Sequence, residues 1–450
     1  MAPPNTTQPI HLPGTTLEGG GQLLRNALAL SSLLRTPIHV TSIRGNRSGG
    51  GGLKAQHLVS LQFLAAASGA GVKGIGLGSK EVVFSPGERE RHGFGGSVEA
   101  KGDSRKRRRK IEIKQATPGS VSLVFQAVLP FLMFGGCCVA ADGKESGEKE
   151  DDGEGEIEEE FELLITGGTN VSNSPSFDYT AQVLIPMLKM IGIPDIEVMC
   201  SRGWSQGRTS LGWVRYRFGT LRDKLPAFRL VDRGSLVKVN FTILAPGGSE
   251  RDFRDEVEVA WERFSRTAWP DVGPENEEPE MEVSFEDSRD AKRYYLLVVA
   301  TTSTGMKLGR DWLYDRGVRA GKTDGIAREM LRKVLLDMKA ELDHEGCVDE
   351  WMRDQLIVFQ GLAEGKSEVN GGRRRMKNGE EGQLVEPSLH AKTAQWVAAE
   401  LLNVSFDDEG GCEGVGYAPG HHNGNAQSKE HSGDGLVESM EKLDIKANTP

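Results

Sequence analysis

A chain of 450 residues with 37% hydrophobic residues, 57 glycines and a formal charge of -10 is long enough for two or three units, and too poor in apolar residues to fold throughout. The charge is local: Asp142 to Glu160 sets eleven acids against Lys144 and Lys149, -9 of the -10, so the remainder is nearly neutral and a nucleic-acid partner is not excluded. Five cysteines without a C-x-x-C pair argue against a disulfide framework or zinc site and for free thiols in a reducing compartment, and Met1 to Thr16 lacks the basic start and apolar run of a secretory signal. In chain order, a glycine turn leads into a predicted helix over Leu23 to Leu34, followed by a strand over Ile38 to Ile43, a helix over Leu53 to Ala67 and a short strand over Glu81 to Ser85. The uncharged stretch Ser120 to Ala141 is long enough to span a membrane, but Gln126, Pro130 and Gly135-Gly136 break it into a buried helix and a buried strand. A second round places a helix over Asp178 to Ile191 and a strand over Trp213 to Phe218. Residues 219–319, with strands over Val237 to Leu244 and Tyr294 to Thr301, form a small inserted domain. A third round has helices from Glu329 to Leu342, Met352 to Leu362 and Lys392 to Leu402. The alternation predicts a layered α/β fold built from a thrice-used unit. Residues 142–160, 371–383 and 406–450 lack apolar periodicity and are expected to be disordered.

Several motifs carry chemistry. Glu18-Gly19-Gly20-Gly21-Gln22 is a glycine turn entering a helix, where backbone N–H groups favour a phosphate and Glu18 can hold a divalent ion. Arg44 and Arg47, three residues apart beside four glycines, can clamp a phosphate, or are simply solvated. Gln56-His57 opens the next helix as a polar cap or a ligand-facing pair. His390 lies at a loop-to-helix junction, where a neutral imidazole can attack a phosphoryl centre or serve as a structural cap. Gly317 to Thr323 and Gly361 to Ser367 approach the G-x-x-x-x-G-K-[ST] phosphate loop, each one residue short and without the strand-loop-helix context. Lys106 to Lys110 reads as a nuclear-import cluster, a solvated hairpin edge or an RNA contact.

Taken in order over most of residues 17 to 404, these segments resemble the RNA 3'-terminal phosphate cyclase family. Glu18-Gly19-Gly20-Gly21-Gln22 with Leu24-Arg25 is similar to its E-G-G-G-Q-x-L-R opening, and Ile43-Arg44-Gly45-Asn46-Arg47 to its I-R-A-G-R. Gln56-His57-Leu58 follows at the expected interval. Pro118 to Gln126, Gly167 to Asn170 with Pro175 and Asp178 to Thr180, and Val348 to Leu356 resemble further family segments, the last with Trp351 where a tyrosine is usual. His390-Ala391-Lys392-Thr393 resembles the H-x-x-T motif of an adenylylated histidine. Two segments depart: Pro13-Gly14-Thr15 stands for an Asp-Gly-Ser, and Arg202 to Gly212 lacks the proline and glycine run of R-G-[YF]-x-P-x-G-G-G.

The resemblance implies a large domain of three units, each a four-stranded sheet backed by two helices, at 1–218 and 320–405, around the small insert. It implies ATP as substrate, Mg2+ or Mn2+, and RNA ending in a 3'-phosphate as partner; neither a membrane nor a stable protein partner is inferred. His390 would carry AMP; Gln126, Pro175, Trp351, Asp354 and Gln355 would hold ATP. Arg25, Arg44, Arg47, Gln56 and His57 would hold the RNA phosphate, and Glu18 the metal. The alternative is a cyclase-like branch that acts in ribosomal RNA processing without this reaction; that branch lacks the histidine, which His390 weighs against. A nuclear location, in the nucleoplasm, with the cytoplasm as a second compartment, is likewise implied.

Overall fold

Three of the four sheets in the computed structural model repeat one strand plan; residues 8–47, 49–87, 98–100, 106–135, 158–268, 278–318, 325–374 and 382–419 are described. The first unit runs β1 (Ile10–Pro13), α1 (Gly21–Leu34), β2 (Ile38–Thr41), α2 (Ala55–Ser68), β3 (Gly71–Lys73) and β4 (Val82–Ser85). Its strands lie in the order β1-β2-β4-β3, the first pair parallel and the others antiparallel. The second unit runs β5 (Val98–Ala100), β6 (Lys106–Lys114), α3 (Val121–Met133), β7 (Glu158–Gly167), α4 (Phe177–Tyr179), a π-helical turn (Thr180–Leu184), α5 (Ile185–Met190), β8 (Ile196–Ser201) and β9 (Gly212–Gly219). Its order β6-β7-β9-β8 copies the first unit, with β5 added outside β6. The third unit starts at β10 (Arg229–Leu230), is interrupted, and resumes below.

The interruption is β11 (Leu236–Ala245), α6 (Glu250–Ala268), β12 (Glu280–Asp287), β13 (Tyr295–Thr302), β14 (Lys307–Leu313) and α7 (Ile326–Asp343). Strand alternation gives its sheet two buried faces: Phe241, Ile243, Leu296 and Val298 pack under α6 and α7, while Leu244, Tyr295, Leu297 and Val299 join the main core. The third unit then completes with α8 (Glu350–Leu362), β15 (Glu364–Val369), α9 (Leu389–Leu402) and β16 (Gly411–Val415), in the order β10-β15-β16. Again the first pair is parallel and the second antiparallel. The mixed α/β architecture is as expected, with four, five and three strands in the three sheets of the large domain.

The helices meet in the middle. α1 touches α2, α3 and α9, so apolar residues line nearly its whole circumference, from Leu23 and Leu24 to Leu30 and Leu33. α3 is similarly enclosed; Ser120 caps it and Pro130 lies inside its last turn. At 13 residues it is a core helix, and no described helix is long and apolar enough to cross a membrane.

Three boundaries differ from the sequence expectation. α7 belongs to the insert rather than to the third unit, because Met330, Val334 and Met338 pack with Phe253 and Trp261. Leu230, in turn, belongs to the third sheet. Residues after 405 are structured as far as Tyr417: β16 pairs with β15, Cys412 is buried, and the Tyr417 hydroxyl donates to the Leu33 carbonyl at 3.1 Å. Two glycines in Gly411–Val415 leave too little apolar pattern to announce a strand. Residues 158–160 belong to β7, and Arg373 bridges Leu384 across the basic segment. Lys106 to Lys110 starts an interior strand, paired on both sides, rather than a hairpin edge. Residues 136–157, 375–381 and 420–450, where other expectations of a strand or of disorder fall, lie outside the described residues.

Candidate active site

α1 opens on Gly20, which supplies no side-chain cap, so its first N–H groups have no such partner. The Glu18 N–H donates to Thr393 Oγ1 at 3.2 Å, fastening the glycine turn to α9. Close approach explains the glycines: a Cβ on Gly20 would fall on the Glu18 carboxylate, and one on Gly21 would stand 2.7 Å from His57 Nε2. α9 is capped by Ser388, whose Oγ accepts the Ala391 N–H at 3.2 Å. The cap is therefore not His390. That residue, second in the helix, places Nε2 3.4 Å from Glu18 Oε1, the oxygen Arg47 also pairs with. Glu18 Oε2 is buried and has no hydrogen-bond partner among the described residues. Leu17, Ser42 and Arg44 around this corner have φ of 53°, 47° and 56°, a left-handed backbone that costs each about 1–2 kcal/mol and is typically retained where geometry serves function.

Beside this corner, His57 Nδ1 accepts the Lys54 N–H at 3.2 Å, which puts the proton of the neutral ring on Nε2. Burial, reinforced by Arg25, Arg44 and Lys54, pulls the imidazole down to about 3. His57 is thus a neutral donor aimed at the glycine turn. Arg25 donates to Gln22 Oε1, and Gln56 Oε1 accepts the Ser120 N–H at 3.2 Å. The two arginines expected to act as one clamp are separated. Arg44 is buried and donates to the carbonyls of Gly50 at 3.4 Å and Gly52 at 3.3 Å, fixing the glycine loop, while Arg47 is half-exposed against Glu18.

A cleft between α1, α3 and α8 is lined by Gln22, Arg25, Asn26, Gln126, Asp354 and Gln355, with Leu184 from the π-helical turn and Leu188 from α5. Arg25 also lines a second hollow with Gln56 and His57. Both amide atoms of Gln126 and Nδ2 of Asn26 are buried without a hydrogen-bond partner among the described residues, an arrangement that favours a ligand able to satisfy them. Burial pushes the Asp354 carboxyl up to about 7, against the pull of Arg25 and a hydrogen bond from Gln355. Three of the five nucleotide candidates therefore share one cleft. Trp351 and Pro175 are not among the residues lining it. The Trp351 ring lies edge-on to Tyr179, 5.5 Å between centroids, with the Arg310 guanidinium 4.8 Å over its face. Pro175 precedes Ser176, which caps α4.

Sequence reasoning did not find Asn26, Arg310 or the role of Asp349. Asp349 is fully buried and accepts the Tyr179 hydroxyl at 2.7 Å, the Gly309 N–H at 2.7 Å and the Trp351 and Met352 N–H groups at 3.0 and 2.8 Å. It ties the second unit, the insert and α8 together. The altered Arg202 to Gly212 segment forms another tie. Arg202 bonds Asp178 at 2.7 and 3.0 Å and Glu286 at 2.6 to 3.1 Å, while the Arg208 N–H donates to Asp290 at 2.9 Å. Gly361 to Ser367 runs from the end of α8 into β15, the reverse of a phosphate loop's order, and Ser367 is buried with Oγ accepting the Phe228 N–H at 3.2 Å. Most of the Gly317 to Thr323 segment lies outside the described residues.

The family described as RNA 3'-terminal phosphate cyclase matches residues 16–407. Among similar proteins, one from Pyrococcus furiosus bearing that name is 27% identical over 405 residues, 89% of this chain and 96% of its own. One from Drosophila melanogaster is 27% identical over 431 residues, 91% and 97% of the two chains. A third, from Methanosarcina mazei, is 29% identical over 400 residues, 88% and 96%.

Proposed function

The chain belongs to the RNA 3'-terminal phosphate cyclase family, and on that premise we propose that it converts an RNA 3'-phosphate end to a 2',3'-cyclic phosphate at the expense of ATP, through an AMP adduct on His390. In the first step a ring nitrogen of His390 attacks the α-phosphorus of ATP, the bond to the bridging oxygen breaks, and pyrophosphate leaves. Next an oxygen of the RNA 3'-phosphate attacks the same phosphorus and His390 departs. The neighbouring 2'-hydroxyl then attacks the terminal phosphate and expels AMP, losing its proton to solvent. The order is chemically necessary because a phosphate monoester is a poor electrophile until AMP is its leaving group.

The observation that carries this reading is the juxtaposition of His390 with the buried Glu18 carboxylate beside a cleft of unsatisfied polar atoms. Burial, Arg25 and Arg47 hold the His390 imidazole below its ordinary value in spite of Glu18, so its nitrogen lone pair is free at neutral pH. Gln126, Asp354 and Gln355 hold the nucleotide, while Trp351 and Pro175 lie outside the cleft these three line, and the Arg310 guanidinium covers one face of Trp351. His57 donates through Nε2 to the RNA phosphate, with Arg25, Arg47 and Gln56, while Arg44 acts indirectly by holding the glycine loop. No group of three or more His, Cys, Asp or Glu side chains that could cage a metal exists among the described residues. A single carboxylate with a free oxygen does fit Mg2+ or Mn2+ shared with phosphate oxygens. Glu18 would hold such an ion, which neutralises charge on the triphosphate. A nucleoplasmic site of action is part of the same reading.

The test is the product. With ATP and Mg2+, an oligoribonucleotide ending in 3'-phosphate should become resistant to phosphatase and regain sensitivity after acid opening of the ring; if the end stays phosphatase-sensitive, the reading is wrong.

A further inference from the structure

Between Ile38 and Gly87 the sequence holds five lysines and arginines and a single acid, Glu81, a net of +4 in a chain of -10. The acid is engaged, bonded to His39 at 2.7 Å. Arg44 holds the glycine loop and Arg47 pairs with Glu18 in the site described above. The other three, Lys54, Lys73 and Lys80, are exposed. Between Lys73 and Lys80 the β3–β4 connection, Gly74-Ile75-Gly76-Leu77-Gly78, presents Ile75 and Leu77 at 46% and 69% exposure. Two exposed aliphatic side chains, one residue apart and flanked by lysines, form a local apolar tip within a basic segment.

The connection is pinned to the phosphate corner by backbone bonds. Gly78 N–H donates to Leu53 O at 2.8 Å, Leu53 N–H to Ser79 O at 2.9 Å, Ile43 N–H to Lys80 O at 2.8 Å and Gly52 N–H to Ile43 O at 2.6 Å. A Cβ on Gly52 would lie 2.3 Å from the Gly78 carbonyl, so the two glycine loops fit only in direct contact. Ile43 precedes Arg44, and Lys54 supplies the N–H that orients His57. The connection that carries the apolar tips and two of the lysines is therefore held directly against the segment that precedes Arg44 and the start of α2, next to His57.

We propose that this surface, Lys54, Lys73, Lys80, Ile75 and Leu77, is the track for the RNA strand immediately 5' of the reacting end: lysines meet successive backbone phosphates and the two aliphatic side chains support unstacked bases. A single-stranded polyanion with flat apolar bases matches this mix of fixed positive charge and exposed apolar tips, and stacking on aliphatic tips with charge pairing to the backbone is tolerant of sequence. The inference rests on the reading of an RNA-end enzyme above.

Binding of two RNAs by the full-length chain separates the possibilities: a dinucleotide and a decanucleotide, each with a 3'-phosphate, beside decanucleotide ending in 3'-hydroxyl. The decanucleotide 3'-phosphate should bind more tightly than the dinucleotide. Ile75→Ser with Leu77→Ser, and separately Lys73→Ser with Lys80→Ser, should each weaken the decanucleotide by about tenfold, leave the dinucleotide within about twofold, and leave AMP transfer to His390 unchanged. The lysine pair should also lower the salt slope of decanucleotide binding by about 1.4. Equal loss on both RNAs, or no loss on either, overturns the track. An unmutated protein indifferent to the 3'-phosphate would instead sink the functional reading, and the track with it.

Discussion

Two buried polar clusters lie on either side of α8, and they differ in whether their hydrogen bonds close. At the junction with the insert, Asp349 accepts four donors, and Arg202 spends its guanidinium on Asp178 and Glu286. At the corner of α1 and α9 Glu18 Oε2, and in the cleft between α1, α3 and α8 both amide atoms of Gln126 and Asn26 Nδ2, are buried with no hydrogen-bond partner among the described residues. Folding desolvates polar groups in both places; the Asp349 carboxylate recovers that cost internally, with only Nε of the neighbouring Arg310 left without a partner among the described residues, whereas the other cluster leaves four atoms open. The contrast marks the junction as a structural tie and the corner and cleft as a place prepared for a ligand, without reference to any motif.

The largest effect that bears on this contrast should come from the junction. Asp349→Ala removes the cap of α8 and strands the Tyr179 hydroxyl and the Gly309 N–H, so it should cost about 3–5 kcal/mol of stability, read by chemical denaturation. A loss below about 1 kcal/mol would mean that the cluster does not tie the units. In the cleft the balance reverses. Gln126→Leu keeps the volume and removes two unpartnered polar atoms, so stability should stay level or rise by about 1 kcal/mol while ATP affinity falls about tenfold or more. If stability drops and ATP binding holds, Gln126 is satisfied in the fold and the contrast fails.

The smallest effect is in pH dependence. Asp354 in the fold titrates at about 7, above the value near 3.9 of a free aspartate, so between those values the native chain keeps a proton that the unfolded chain has lost. Its contribution to stability is therefore fully present below about pH 4 and is lost as pH rises to about 7. Asp311, also pushed up to about 7 by burial, adds a slope of the same sign. Asp354→Asn should flatten part of this slope and raise Tm near pH 7 by about 1–3 °C, with little change at pH 4. Parallel curves for the two proteins would show that Arg25 keeps Asp354 ionised in the fold.

Much of this architecture was legible in the sequence because its helices repeat apolar residues at three and four positions, as α7 does, and its strands alternate, as β9 does. Periodicity reveals that a helix has a buried face but not which sheet receives it. That is why α7, with the same pattern as a core helix, was assigned to the third unit rather than the insert. β16 escaped because Gly411-Cys412-Glu413-Gly414-Val415 has little pattern of its own and is held by pairing with β15. In the site, Glu18, His57 and His390 were legible from glycine turns, helix starts and family motifs. Asn26 and Arg310 were not, since a polar residue on an amphipathic helix and an arginine on a strand carry no local sign of facing a cleft or an aromatic ring. Nor did the sequence tell that Arg44 spends its guanidinium on Gly50 and Gly52.

The account stands on His390 being the group that takes AMP. Incubation with α-labelled ATP and Mg2+, followed by denaturation, should leave label on the unmutated protein in a bond labile to acid and stable to alkali, as a phosphoramidate is, and His390→Asn should retain no label while still binding ATP and unfolding at the same temperature. Ser388 remains to cap α9 in that variant, so loss of the adduct would report the nucleophile and not the helix. Label surviving in His390→Asn would place the nucleophile elsewhere and contradict the central claim; no label on the unmutated protein would leave the chain a family member without this chemistry.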